Sequence, residues 1–220
     1  MEIKYLLSSE RGFSLIEMLV VIVVMAILVS FALLGTSSRK LYAADTQALA
    51  IIDILQEARQ KALTQGKTLR VEINDTDKQI RLIDENATTA ASDDEVLQTQ
   101  NFDSSVTVGV KPANVNVFGR LPKSNSPIPE IQFKQTTYPP SANDRVKTLR
   151  FMKNGEVVDG GTDDLGTDAM NSGVTIYVYN GASGSRSPVV RAVTVSGITA
   201  AAELLKCQTD TDGTCIVWVK

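Results

Sequence analysis

Residues 13–34 are almost entirely apolar and carry one charge, Glu17. At about 1.5 Å of rise per residue, a helix of this length spans roughly 33 Å, enough to cross the hydrocarbon core of a bilayer. An acidic side chain costs roughly 2.5–3.5 kcal/mol at mid-bilayer and less near an edge. Glu17 stands one turn into the run, within reach of the interface, and still requires a partner. Two plain explanations are a simple membrane anchor and a removable signal peptide. A secretory signal has a shorter apolar region followed by a small-x-small cleavage site. Here Phe31-Ala32-Leu33-Leu34-Gly35-Thr36 follows, a poor match. Lys4 and Arg11 flank one side of the run, and Arg39 and Lys40 the other. The positive-inside rule is therefore nearly balanced and sets no orientation.

The chain has 220 residues, room for one domain plus an appendage. Its net charge of −3 argues against nucleic acid as the main partner, because phosphate contacts need clustered Lys and Arg. There is no histidine, which removes the commonest general base and a usual zinc ligand. Serines and acids lie in turn-like contexts without diagnostic spacing, so the expectation is no enzyme, no metal and no cofactor.

Beyond the apolar run, apolar residues recur at 41, 44, 48, 51, 52, 55, 58 and 62, one continuous helical stripe. Asp53, Glu57, Arg59 and Lys61 fall off the stripe, and Glu57 with Lys61 makes a favourable i,i+4 pair. Gly66 is a natural residue to end the helix. One helix of about fifty residues is expected, apolar all round in its first half and one-sided in its second. Gly35-Thr36-Ser37-Ser38 is its weak point, where a kink could form.

After Gly66 the period changes to two. Thr68–Ile73 and Gln79–Ile83 alternate around Asn74-Asp75-Thr76-Asp77, a β-hairpin pattern. Residues 84–100 are polar and read as a mobile loop. Further strands are expected at 105–110, 115–118, 130–134, 147–152, 156–158, 174–179, 189–195 and 215–219. Loops are expected at 122–129, 138–145 and 159–173. This spacing predicts an α+β fold in which the helix packs on an antiparallel, sandwich-like β domain.

Arg11-Gly12-Phe13-Ser14-Leu15-Ile16-Glu17-Met18-Leu19-Val20 closely resembles the type III signal, or N-methylation motif, of type IV pilins and type II secretion pseudopilins. The resemblance implies that a prepilin peptidase cuts after Gly12, that the new N-terminal residue Phe13 is methylated, and that Glu17 is the assembly residue. It also implies a leader on the inner side of the membrane and a type IV pilin-like fold. The physics agrees. The mature amine, with a pKa of about 8, is mostly cationic, and methylation keeps its charge. In a filament, Glu17 of one subunit can pair with the Phe13 amine of a neighbour. A wrong axial register leaves both charges unpaired. The organisation expected is a leader at 1–12, a transmembrane and filament-core helix at 13–35, an amphipathic helix half at 36–66 and a β-rich domain at 67–220. Major pilins commonly carry a proline in the membrane half; this sequence has none there.

Two looser signatures resemble the GspH/FimT-like minor pilins and pseudopilins: Leu149–Gly155, as strand and turn, and Arg191–Gly197, as a late strand. That placement implies a minor pilin that primes or caps assembly of a type IV pilus. The alternatives are a minor pseudopilin of a type II secretion system and a DNA- or surface-binding tip module. The implied partners are other minor and major pilins, the prepilin peptidase, an inner-membrane assembly platform and the membrane itself. The expected location is the inner membrane, with the β domain periplasmic, and then the filament. Some members of this subfamily bind DNA through basic residues just after the late-strand glycine. Here Ile198-Thr199-Ala200-Ala201-Ala202-Glu203 follows Gly197, and the nearest basic residues are Arg186, Arg191 and Lys206.

Outside the cytoplasm, Cys207 and Cys215 would form one disulfide, worth roughly 2–3 kcal/mol in the chain-entropy model; a free or redox-active pair is the alternative. Between them, Asp210-Thr211-Asp212-Gly213 fits a hairpin turn better than a calcium loop, since the twelfth-position glutamate is missing. Asp163, Asp164 and Asp168 read as a solvated acidic loop.

Overall fold

The structure is a computed structural model. It describes residues 14–86, 91–115, 128–135, 141–159, 168–169, 173–182, 184–187, 189–209 and 214–220; within these, the side chains of 31–41, 91, 159, 168–169 and 216 are left out. Residues 116–118 of the strand expected at 115–118, and most of the loops expected at 122–129 and 159–173, lie outside the described residues. By compactness the chain divides into Met1–Arg39 and Lys40–Lys220.

A single helix, α1, runs from Leu15 to Gln65. Gly66 ends it with φ +65°, the left-handed conformation that closes helices at little cost for glycine. In the second unit the stripe predicted from the sequence is the buried face: Ala44, Ala48, Ile51, Ile52, Leu55, Ala58 and Ala62 are all buried. Gln47 and Ile54 join them, and the sequence pattern did not single out either. Glu57 and Lys61 pair at 2.8 Å on the solvent side.

The hairpin follows as β1 (Leu69–Asn74) and β2 (Gln79–Asp84), in register from Leu69 opposite Asp84 to Asn74 opposite Gln79. Asn74 makes the turn: its side-chain oxygen accepts bonds from the N–H groups of Thr76 and Asp77, both at 2.8 Å. The expectation of a loop over residues 84–100 is corrected in part. β3 (Glu95–Asn101) pairs with β2 as an antiparallel strand at the edge of the sheet order. None of its side chains is buried, so no alternation of apolar and polar residues marks it in the sequence. Its backbone ladder to β2 makes it a strand.

The remaining strands are β4 (Val106–Gly109), β5 (Lys134–Gln135), β6 (Arg145–Phe151), β7 (Val157–Asp159), β8 (Asp168–Ala169), β9 (Val174–Asn180), β10 (Val190–Val195), β11 (Ala202–Thr209) and β12 (Cys215–Val219). The strand expected at 130–134 is reduced to β5 and a parallel bridge from Glu130 to Thr175. β8 lies within an expected loop. β11 was also not anticipated, because the Leu204-Leu205 doublet and the charges at Glu203 and Lys206 break the alternation.

The strands form two sheets with antiparallel ladders. The first has the order β3-β2-β1-β6-β7-β8, with β5 also on β6; the second has the order β12-β11-β10-β9-β4. One core joins the helix stripe to Leu69, Val71 and Ile73 of β1, Leu149 and Phe151 of β6, and Ile176, Val178 and Val193 of the second sheet. This is the expected α+β architecture, one N-terminal helix packed on antiparallel sheets. The other face of the second sheet builds a separate cluster from Tyr177, Tyr179, Ala192, Leu205 and Cys215, with Trp218 against it. Both faces of β9 are therefore covered, which is why all seven of its residues are buried. Gly173 leads into β9 with φ +99°, and a Cβ there would lie 2.1 Å from the Val195 carbonyl oxygen, so only glycine fits.

Candidate functional site

α1 begins at a cap. Ser14 precedes the helix, and the Glu17 N–H donates to its hydroxyl at 3.3 Å and to its carbonyl at 3.0 Å. Ser14-Leu15-Ile16-Glu17 therefore has the S-x-x-E spacing of a capping box, with Glu17 at the third helical position. A carboxylate in the first turn also opposes the positive end of the helix dipole. In the sequence Glu17 stands out for its charge. The spacing to Ser14 was a visible signal of its second role, holding the helix start. Gly12 and Phe13, the expected cleavage and methylation positions, lie outside the described residues.

Apart from Glu17, the helix from Leu15 to Val29 is apolar around its whole circumference. Every large hydrophobic side chain in this stretch is exposed in the isolated chain, from 48% at Val23 to 84% at Leu15. Leaving such a side chain in water forgoes roughly 1.5–3 kcal/mol each, so this is not a surface meant for solvent. Ser30 donates its hydroxyl to the Ala26 carbonyl at 2.8 Å, which satisfies its donor inside the helix. Among the described residues no helix is long and apolar enough to cross a membrane. The apolar stretch with described side chains, Leu15–Ser30, covers about 24 Å of the roughly 30 Å of a hydrocarbon core. The side chains expected to complete the run, at 31–34, lie outside the described set.

The late-strand arginine is not an exposed cation. Arg191 is buried, and its guanidinium faces Asp45 of α1. Hydrogen bonding to Arg191 holds the Asp45 carboxyl below its usual range, with partial burial opposing. Arg186 and Lys206 are exposed. Cys207 on β11 and Cys215 on β12 are joined by a disulfide, with Cα atoms 5.7 Å apart. Cys207 lies opposite Trp218, whose ring sits 6.1 Å from that of Tyr177. The stretch 210–213, weighed as a calcium loop, lies outside the described residues, as do Asp163 and Asp164. Among the described residues no group of three metal-ligating side chains converges.

The sequence reading missed a polar layer on the face of the first sheet turned away from the helix. Arg70, Glu72 and Asn74 alternate with the core residues of β1, yet all three are buried. Glu72 accepts a bond from the Ser141 hydroxyl and a longer one, 3.4 Å, from Arg81. Burial pushes the Glu72 carboxyl up, against the pull of Ser141, Arg70 and Arg81. Ser141 is itself 1% exposed. Ser141 lies 69 positions from Glu72 and 60 from Arg81, beyond the reach of local pattern.

The start of α1, capped by Ser14 and with Glu17 in its first turn, lies within a motif shared with other proteins. Residues 7–33 match the family model of the prokaryotic N-terminal methylation motif. No curated protein matches the chain. Two structures of the minor pseudopilin EpsH from the type II secretion system of Vibrio cholerae are similar at 12% identity. One has a TM-score of 0.43, covering 74% of this chain and 96% of that chain; the other, a crystal structure, has a TM-score of 0.45, covering 77% and 99%.

Proposed function

We propose that this chain is a minor pilin, a structural subunit that primes or caps assembly of a type IV pilus and enters the filament through its N-terminal helix. The observation that carries this reading is Glu17, the one charge in the apolar run 13–34, inside a matched methylation motif. The prepilin peptidase removes residues 1–12 after Gly12, and Phe13 is methylated. The subunit waits in the inner membrane by residues 13–35. The helix half 36–66 carries the β domain, 67–220, on the periplasmic side. There Cys207 and Cys215 stay oxidised. An inner-membrane assembly platform then transfers the subunit to its pilin neighbours, where Glu17 pairs with a neighbour's Phe13 amine. The chain acts by position and display, not by catalysis.

The test is Glu17→Ala in the native host. The variant is expected to be processed and inserted but absent from sheared filaments and from cross-linked initiation complexes. Normal incorporation would sink the reading. The same subunit chemistry serves a type II secretion pseudopilus; loss of twitching on deletion, with secretion intact, separates the pilus from that alternative.

A further inference from the structure

On the outer face of the first sheet, Arg70 of β1 lies directly opposite Arg150 of β6 in the ladder. Like charges in that position repel, and both guanidinium groups are almost fully buried, at 2% and 3% exposed. Among the described residues, one carboxylate is set between them. Glu85 accepts from Arg150 Nε at 2.9 Å on both of its oxygens and from Arg70 Nη1 at 2.9 Å. Asp94 also accepts from Arg70, with Nη2 at 2.7 Å.

The way the acids are delivered is informative. The two arginines sit on central strands, locked by the ladders on either side. Glu85 lies just past the end of β2 and Asp94 just before β3, both outside regular structure. β3 buries none of its side chains, so packing contributes little to holding this edge. A rigid pair of planar cations converging on one carboxylate, supplied from just past the end of a strand, is the geometry of an oxyanion receptor with an internal ligand.

We propose that Arg70 and Arg150 form an oxyanion-binding cradle whose resident ligand is the carboxylate of Glu85. The cradle belongs to the two arginines, so another carboxylate can take the place of Glu85 when that side chain is removed.

The test uses the full chain in detergent micelles, followed by the fluorescence of its single tryptophan, Trp218, during thermal unfolding. The probe is acetate, replacing chloride at fixed ionic strength. Glu85→Ala should melt about 10 °C lower than wild type in chloride, as expected for a buried ion pair that loses one partner. Acetate should raise its melting temperature along a saturable curve, while wild type stays flat. In the double variant Glu85→Ala/Arg150→Met the response to acetate should vanish. A Glu85→Ala protein that responds to acetate no more than wild type overturns the proposal. So does a double variant that responds as strongly as the single one. If Glu85→Ala does not fold in chloride, refolding is attempted in acetate: recovery of native Trp218 emission supports the cradle, and failure to recover overturns it.

Discussion

Arg191 on β10 grips Asp45 on α1 through two bonds, Nε to Oδ1 at 2.5 Å and Nη2 to Oδ2 at 3.1 Å. Its third nitrogen, Nη1, donates to the Val190 carbonyl at 3.0 Å, so the guanidinium is held from both sides. This planar contact ties the helix to the second sheet at the end of a stripe made of alanines and aliphatic residues.

Breaking that contact leaves a buried cation. Asp45→Asn should cost about 2 kcal/mol, less than a fully buried pair because Asp45 keeps 25% of its side chain exposed. The pH dependence has a defined sign. The folded carboxyl titrates below its ordinary value of 3.8. Its contribution is therefore present above that value and lost as pH falls through the folded one. Thermal unfolding of wild type from pH 6 to pH 2 should show this extra loss, and Asp45→Asn should lack it. Parallel curves for the two proteins would contradict the assignment.

Glu72 has the opposite sign. Burial raises its carboxyl above the ordinary 4.5, so its stabilising contribution is present below that value and lost as pH rises through the folded one. Glu72→Gln keeps an oxygen for the Ser141 hydroxyl and removes the buried charge. It should match or exceed wild type in melting temperature at pH 7, and the difference should shrink near pH 4. A large loss at pH 7 would mean that the ionised form is needed against Arg70 and Arg81.

The disulfide should act locally on the last hairpin. Replacing both Cys207 and Cys215 by serine should lower stability by roughly 2–3 kcal/mol in the chain-entropy model. It should also alter Trp218 emission, because Trp218 lies opposite Cys207 and against Tyr177. Unchanged melting would place the hairpin's stability in its ladder and its packing alone.

Several parts of this molecule are readable in its sequence because their signals are local. The stripe from Ala44 to Ala62 repeats at helical spacing, and the β1–β2 hairpin carries alternation around an Asn-Asp turn. Glu17 stands out as one charge in an apolar run. β3 and β11 are not readable. β3 buries nothing, and in β11 polar and apolar residues follow no clean period. The polar layer escapes for a different reason. Arg70, Glu72 and Arg150 occupy positions that alternation assigns to solvent. What buries and pairs them arrives from distant segments, Glu85 and Asp94 in one case and Ser141 in another.

The position of Ser14 bears on how such a subunit is matured. If the chain is severed after Gly12, the residue that starts α1 stays on the retained piece, only one residue behind the new end. The leader can then be discarded without unravelling the first turn or displacing the Glu17 backbone bonded to Ser14. On the proposed cut, the start of the helix lies wholly on the retained side, and Glu17 keeps the backbone bond that holds it while the new amine is freed.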